Sequence, residues 1–132
     1  MWLPPNLYRK VIQAVPIICV DIVIRRHGQI LLVKRANEPM KGEWFVPGGR
    51  ILKGELIYRA VDRKAMEETG LTLGEHKFLG HYEDQYPRCA FGVPLHTVSL
   101  VFEAEGFGQV KLNDESTAWA WSEHLPEKLV IT

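Results

Sequence analysis

The first apolar positions of the chain recur at the spacing of an α-helix. They are Leu7, Val11, Ile12 and Val15. This period predicts a short amphipathic helix that is capped by Asn6 and ends before Pro16. The pattern then changes, because residues 17–24 are mostly β-branched and almost continuously apolar, with Asp21 as their one charge. This run predicts a strand that is buried on both faces.

Further short apolar runs predict a chain that is rich in β-structure. A turn at 25–29 separates the first strand from a second at 30–33, which gives a hairpin. Other strands are predicted at 44–46, 78–82, 97–104 and 118–121. The polar segment 83–95 contains glycine and prolines, so we expect a long loop there and treat it as a candidate binding loop.

A second helical pattern follows a break in the chain. After Pro-Gly-Gly at 47–49, apolar residues keep a helical period through 55–69, and Gly70 is placed to end the helix. Strands outnumber the helices and flank them, which predicts an α+β fold in which a sheet lies between helices. No repeat or linker divides the 132 residues, so we expect a single domain over 1–132.

Composition and charge narrow the classes of function. Sixteen basic and 16 acidic residues give a formal net charge of +0, which argues against a protein that binds nucleic acid through phosphate contacts. No apolar stretch has the length of a membrane span, and the N-terminus lacks the pattern of a secretory signal. The two cysteines are too few for a disulfide framework, so we expect a cytoplasmic protein.

Charged residues crowd one side of the second predicted helix. At about 100° per residue, Lys64, Glu67 and Glu68 point to the same side, and Arg63 lies beside Glu67. Adjacent carboxylates suit Mg²⁺, which takes one or two of them together with water and phosphate oxygens. The alternative is a solvated helix face with a Lys64–Glu68 ion pair. The glycines at 48–49 favour the metal, because they let bare backbone approach a cation or a phosphate.

These residues resemble the Nudix box, which reads G-x5-E-x7-R-E-U-x-E-E-x-G-U with U apolar. The matching positions are Gly49, Glu55, Arg63, Ala65, Glu67, Glu68, Gly70 and Leu71. Lys64 replaces the first glutamate of the segment after the arginine, and the other fixed positions of the box at 49–71 match. The resemblance implies a Nudix-type α/β/α sandwich with a mixed β-sheet, and Mg²⁺, or Mn²⁺ in its place, as the cofactor.

Over most of its length, the chain is similar to the GDP-mannose mannosyl hydrolase branch of this family. This similarity is carried by 42–50, by 82–86 and by the closing Trp-Ser at 121–122. In that branch the metal ligands match the Gly48 carbonyl and Glu68, and other Nudix enzymes also use the position of Glu67. The resemblance implies that Arg35, Arg50 and Arg63 bind the diphosphate or orient the helix, and their planar forks suit phosphate oxygens.

Two departures leave the cleaved bond open. Lys64 adds positive charge where many pyrophosphate-cleaving Nudix enzymes have a glutamate, so metal affinity should be lower. Before the last strand, that branch carries a glutamine–histidine pair, whereas this chain has Glu115 and Ser116, and a serine hydroxyl cannot replace a histidine base. If Glu115 joins Glu67 and Glu68 as a metal ligand or as the group that deprotonates water, the site favours attack at phosphorus.

Other polar and aromatic residues are candidates for the ligand site. Asp21 either pairs with an arginine or belongs to the site, because buried carboxylates have partners. His81 and His96 bracket the predicted loop, and either could be the missing base. Tyr86 and Phe91 could stack on a nucleobase.

The sequence leads to one main hypothesis and two alternatives. The main hypothesis is a Mg²⁺-dependent hydrolase of a nucleoside diphosphate derivative, such as the nucleotide sugar GDP-mannose. We expect a cytoplasmic homodimer with a small-molecule substrate and with no nucleic-acid or membrane partner. The alternatives are a nucleoside triphosphate or ADP-ribose pyrophosphohydrolase, and a nucleotide-binding domain that has lost turnover through Lys64.

Overall fold

A computed structural model describes residues 3–132, so Met1 and Trp2 of the expected domain 1–132 lie outside the described residues. The described chain contains two helices and a mixed sheet. The helices are α1 (Pro5–Ala14) and α2 (Ile57–Thr69). The strands are β1 (Ile17–Arg26), β2 (Gln29–Arg35), β3 (Trp44–Phe45), β4 (Gly48–Arg50), β5 (Thr72–Leu73), β6 (Lys77–Tyr86), β7 (Leu95–Phe107) and β8 (Ser116–Ser122).

Strand β1 lies at the centre of the sheet. On one side it pairs in parallel with β7, with Ile17 opposite Thr97 and Arg25 opposite Glu105. On its other side it pairs antiparallel with β4 and with β2. Strands β3 and β8 extend the sheet from β2, and β5 and β6 pair with β7. The one parallel pair among antiparallel neighbours confirms the expected mixed sheet.

The two helices pack on opposite faces of this sheet, because side chains alternate along β1. On the face toward α2, three fully buried residues of β1 pack with three of the helix. They are Val20, Ile22 and Ile24 of β1 and Ala60, Val61 and Ala65 of α2. On the opposite face, Ile12 of α1 packs against Ile17, and Val23 packs in a cluster with Leu129. The predicted α+β fold with a sheet between helices is therefore confirmed. Neither described helix has the length and apolarity needed to cross a membrane.

Several element boundaries differ from the prediction. Helix α1 begins at Pro5 after Pro4, so Asn6 lies inside the helix and does not cap it. Proline at the first helical position has the required φ and needs no hydrogen bond there. Strand β1 is not buried on both faces throughout, since Ile18 is 51% exposed. Helix α2 starts at Ile57, two residues later than predicted, and ends as expected at Gly70 with φ 73.

The loop predicted at 83–95 is shorter in the structure. Glu83 pairs with Val98, and Tyr86 pairs with Leu95, so β6 and β7 continue toward each other and only 87–94 connects them. The polar composition was misleading, because a strand at the edge of a sheet can expose polar side chains along one face.

Candidate active site

A cavity of about 520 Å³ lies between the sheet, α2, α1 and the connection 87–94. This volume is in the range of small-molecule sites. Nine residues that the sequence predicted for the site line it: Asp21, Arg35, Gly48, Arg50, Arg63, Glu67, Glu68, Tyr86 and Glu115. Residues more than 90 positions apart in the chain are thus brought to one place.

Strand β4 places bare backbone at this cavity, and the sequence did not predict it as a strand. Gly48 pairs with Asp21 across the sheet. A Cβ atom on Gly48 would collide with the Val20 carbonyl oxygen and with the Asp21 carboxylate, and one on Gly49 would collide with the Lys64 side chain. The two glycines are therefore required by close packing on both sides of β4.

Arg63 joins the segment before α2 to the helix. Its Nε donates to Glu55 Oε2 at 2.6 Å, and its Nη2 donates to Glu55 Oε1 and to the Arg50 carbonyl oxygen, each at 2.9 Å. Its Nη1 donates to Glu67 Oε1 at 2.8 Å. The hydrogen bonds from Arg63 lower the pKa of Glu55. Because the guanidinium is directed at protein groups, its contacts match the helix-orienting alternative for this residue.

Lys64 and Glu68 form a buried ion pair. Each residue is 6% exposed, and Lys64 Nζ lies 2.8 Å from Glu68 Oε2. Gly48 N–H also donates to Glu68 Oε1 at 3.4 Å. Burial raises the pKa of the Glu68 carboxyl, and the charge of Lys64 opposes this shift. The alternative of a solvated helix face is wrong for these two residues, although the ion pair that it expected is present.

The acidic residues supply hard oxygen donors but no complete cage. Within residues 3–132, no three His, Cys, Asp or Glu side chains converge to hold a metal ion without further ligands. Glu67 and Glu68 lie on α2, and Glu115 precedes β8 at the cavity rim. Mg²⁺ binds through one or two carboxylates and completes its shell with water and phosphate oxygens. This donor set fits a divalent cation that is bound together with a phosphorylated ligand.

Asp21 accepts a hydrogen bond from the hydroxyl of Tyr82 rather than pairing with an arginine. Burial raises the pKa of the Asp21 carboxyl to about 7, although the Tyr82 hydrogen bond and the charge of Arg35 both lower it. Tyr82 lines the cavity but received no role from the sequence. The period of a strand could have revealed it, since Tyr82 and Tyr86 lie on the same face of β6.

The other candidate ligand-binding residues are also held by the protein. Arg35 Nε donates to the Pro39 carbonyl oxygen at 2.7 Å, and the Tyr86 hydroxyl donates to Asp84 at 3.1 Å. The Arg50 guanidinium lies over the ring of Tyr8, 4.8 Å from its centroid. Tyr8, in α1, also lines the cavity and was not predicted.

Phe91, which the sequence suggested as a stacking residue, meets Tyr8 edge-on with ring centroids 5.1 Å apart. These two aromatic rings close the end of the cavity that lies between α1 and the connection 87–94.

Neither of the two histidine candidates for the base, His81 and His96, lines the cavity among the described residues. His96 Nε2 lies 3.0 Å from Glu83 Oε2 at the surface. Alternation along the strands explains this result. Tyr82 on β6 and Thr97 on β7 face the cavity, so their neighbours in sequence point to the other side.

Known proteins resemble the chain in sequence. The family model described as the NUDIX domain matches residues 15–129. The low-salt glycan biosynthesis protein Agl8 of Haloferax volcanii is 42% identical over 84 residues, which cover 64% of this chain and 54% of that protein. An ADP-ribose pyrophosphatase of Methanocaldococcus jannaschii is 38% identical over 104 residues, or 76% of this chain and 58% of that protein. The chain thus spans little more than half the length of these relatives.

Solved structures resemble it in fold. A MutT NUDIX hydrolase from Burkholderia pseudomallei has a TM-score of 0.74 and 31% identity, over 88% of this chain and 91% of that one. The MutT protein from Methanosarcina mazei Go1 has a TM-score of 0.68 and 27% identity, over 83% and 78%. The family model covers most of the chain, and Gly49, Arg63, Glu67 and Glu68 of the box line one cavity. The chain belongs to the Nudix family.

Proposed function

We propose that this protein is a divalent-metal-dependent hydrolase that cleaves the diphosphate of a nucleoside diphosphate linked to a sugar. One observation carries the proposal: the three glutamates and the three arginines that the sequence singled out line a single cavity. They are Glu67, Glu68, Glu115, Arg35, Arg50 and Arg63. Carboxylates that can hold a cation, next to the Arg35 and Arg50 guanidinium groups that can bind phosphate, suit a diphosphate bound as its metal complex.

Each part of the site has a role in this proposal. Glu67, Glu68 and Glu115, with the Gly48 carbonyl, would hold Mg²⁺, or Mn²⁺ in its place. When bound, the metal neutralises the diphosphate and makes water a better nucleophile. Arg63 keeps α2 and the preceding segment in register through Glu55.

The remaining roles concern the substrate and the proton. Arg35 and Arg50 bind the diphosphate oxygens, and Asp21 and Tyr86 contact the substrate from the sheet side of the cavity. Glu115 accepts the proton of the attacking water, because its carboxylate is exposed and forms no hydrogen bond or ion pair within residues 3–132.

Attack at phosphorus is proposed in preference to attack at the sugar carbon. Ser116 lines the cavity where the mannosyl hydrolase branch would have its histidine, and no histidine of residues 3–132 lines the cavity. Glu115 beside it is a carboxylate, which can ligate a metal and accept a proton. For attack at phosphorus, the loop before β8 has to supply a metal ligand and a proton acceptor, and Glu115 can be both.

Two substrates are favoured. GDP-mannose is the first, supported by the resemblance to the mannosyl hydrolase branch and by a relative named for glycan biosynthesis. ADP-ribose is the second, supported by the relative named ADP-ribose pyrophosphatase. Both contain a nucleoside diphosphate joined to a sugar, so the same diphosphate site serves either.

A substrate screen with Mg²⁺ or Mn²⁺ in ¹⁸O-labelled water tests the proposal. Phosphorus attack on GDP-mannose gives GMP and mannose 1-phosphate, with the label in one phosphate, whereas sugar attack gives GDP and mannose. Glu68→Gln should abolish turnover. Binding of nucleotides without turnover of any would overturn the proposal and favour the non-catalytic alternative.

We also propose that the protein forms a homodimer. Leu7 of α1 and Val15, directly after it, are 48% and 50% exposed and suit an interface element. Sedimentation equilibrium of the chain and of Leu7→Glu measures this: the chain should sediment as a dimer, and the variant as a monomer.

A further inference from the structure

The glutamates of α2 already have a cation of the chain beside them. Lys64 Nζ lies 2.8 Å from Glu68 Oε2 and 3.7 Å from Glu67 Oε2. Lys64 and Glu68 are both 6% exposed, so water screens their attraction only weakly. Glu68 Oε1 also accepts the Gly48 N–H. Both oxygens of Glu68 are therefore occupied before any ligand arrives.

The packing holds this ammonium in place. The end of the Lys64 side chain fills the space above Gly49, where even one added carbon atom would collide with it. Arg63 holds Glu67 from the other side, with Nη1–Oε1 at 2.8 Å. The ammonium thus lies between β4 and the two carboxylates, which is where the proposed function places a metal.

We propose that, in the free protein, the Lys64 ammonium occupies the place between Glu67 and Glu68 that the proposed function gives to a divalent ion. A divalent ion at that place would lie beside a buried like charge and would have to displace the ammonium from Glu68. The free protein therefore binds divalent cations weakly. The ion enters together with a diphosphate, whose oxygens supply the negative charge that Lys64 cancels.

Glu115 completes this arrangement. It lines the same cavity, it is exposed, and its carboxylate has no hydrogen bond or ion pair with the described residues. It is therefore the carboxylate left open to receive a metal–diphosphate complex. This inference rests on the proposed function for the nature of the ligand, but it concerns the protein before any substrate binds.

Binding of Mn²⁺ to the free protein, followed by electron paramagnetic resonance, tests the inference. Lys64→Gln should bind Mn²⁺ at least about tenfold more tightly than the unaltered chain, because the competing charge is gone. Lys53→Gln is the matched control. It removes the same charge from an exposed position in the segment before α2, and it should bind Mn²⁺ as weakly as the unaltered chain.

Three outcomes would overturn the inference: an equal affinity of Lys64→Gln and the unaltered chain, an equal gain in the control, or Kd below about 10 µM for the unaltered chain without nucleotide. Should Lys64→Gln fail to fold alone, folding rescued by Mn²⁺ supports the inference, and absence of rescue overturns it. The Mn²⁺-binding experiment does not depend on turnover, so a failure of the proposed enzymatic activity would appear separately, in the substrate screen.

Discussion

Arg63 donates hydrogen bonds to both carboxylate oxygens of Glu55, with Nε–Oε2 at 2.6 Å and Nη2–Oε1 at 2.9 Å. The same Nη2 donates to the Arg50 carbonyl oxygen at 2.9 Å. One side chain on α2 therefore fixes both the segment before the helix and the end of β4. At the other end of β4, Gly48 N–H donates to Glu68 Oε1 at 3.4 Å.

Replacement of Arg63 should destabilise the fold. Arg63→Lys keeps the charge but loses the two-pronged donation to Glu55, so we expect the free energy of unfolding to fall by about 1–3 kcal/mol. Arg59→Lys is the control, because Arg59 lies exposed on the same helix. Urea unfolding of both variants measures the difference. Equal stability of the two variants would show that the fork contributes nothing.

The Asp21 carboxyl predicts how stability varies with pH. Its pKa is raised from 3.8 to about 7, so between these values the folded chain holds a proton that the unfolded chain has lost. This contribution to the free energy of unfolding is greatest below the unfolded pKa and is lost as the pH rises through the folded one.

Asp21→Asn, which does not ionise, should remove this dependence. Relative to the unaltered chain, the variant should gain a few kcal/mol of stability between about pH 5 and about pH 8. Urea unfolding at the two pH values, with divalent cations chelated, measures the change. A stability difference that is the same at both would contradict the raised pKa of Asp21.

Gly48 should tolerate no side chain. In Gly48→Ala the new methyl group would meet the Val20 carbonyl oxygen and Asp21, and a backbone atom cannot move aside as a flexible side chain can. We expect a loss of about 1–3 kcal/mol or more in the free energy of unfolding. Gly74→Ala is the control, since its nearest contact would be an ordinary 3.5 Å to the Phe107 ring. Thermal unfolding that ranks the two variants equally would refute the close approach.

Glu115 should affect turnover and leave stability unchanged. Glu115→Gln removes the proton acceptor of the proposed mechanism, so kcat should fall by about a hundredfold or more. Because Glu115 is exposed, the melting temperature should stay that of the unaltered chain. Glu127→Gln, also exposed and near the C-terminus, should change neither quantity. Steady-state kinetics on the best substrate of the screen, together with calorimetry, separates these results.

The elements with a strong local period were predictable. The helix that carries the box, its end at Gly70 and the first two strands lie where the pattern indicated them, within about two residues. The predicted extent of the loop 83–95 was wrong, because the pairing of strands β6 and β7 decides it. Whether Glu83 is loop or strand depends on its pairing with Val98, and a partner so distant in sequence leaves no mark in the local pattern.

The sequence by itself determined which charged side chains share one face of α2, because Lys64, Glu67 and Glu68 follow the helical period. Its resemblance to the Nudix box indicated the chemistry of that face. Only the tertiary structure decided which of these charged side chains are buried and paired. Burial of Lys64 against Glu68 needs α2 to dock on β1 and β4 to pass beside it. The atoms that exclude water from Lys64 and Glu68 are distant in sequence, so the helical period alone does not reveal that these groups are desolvated.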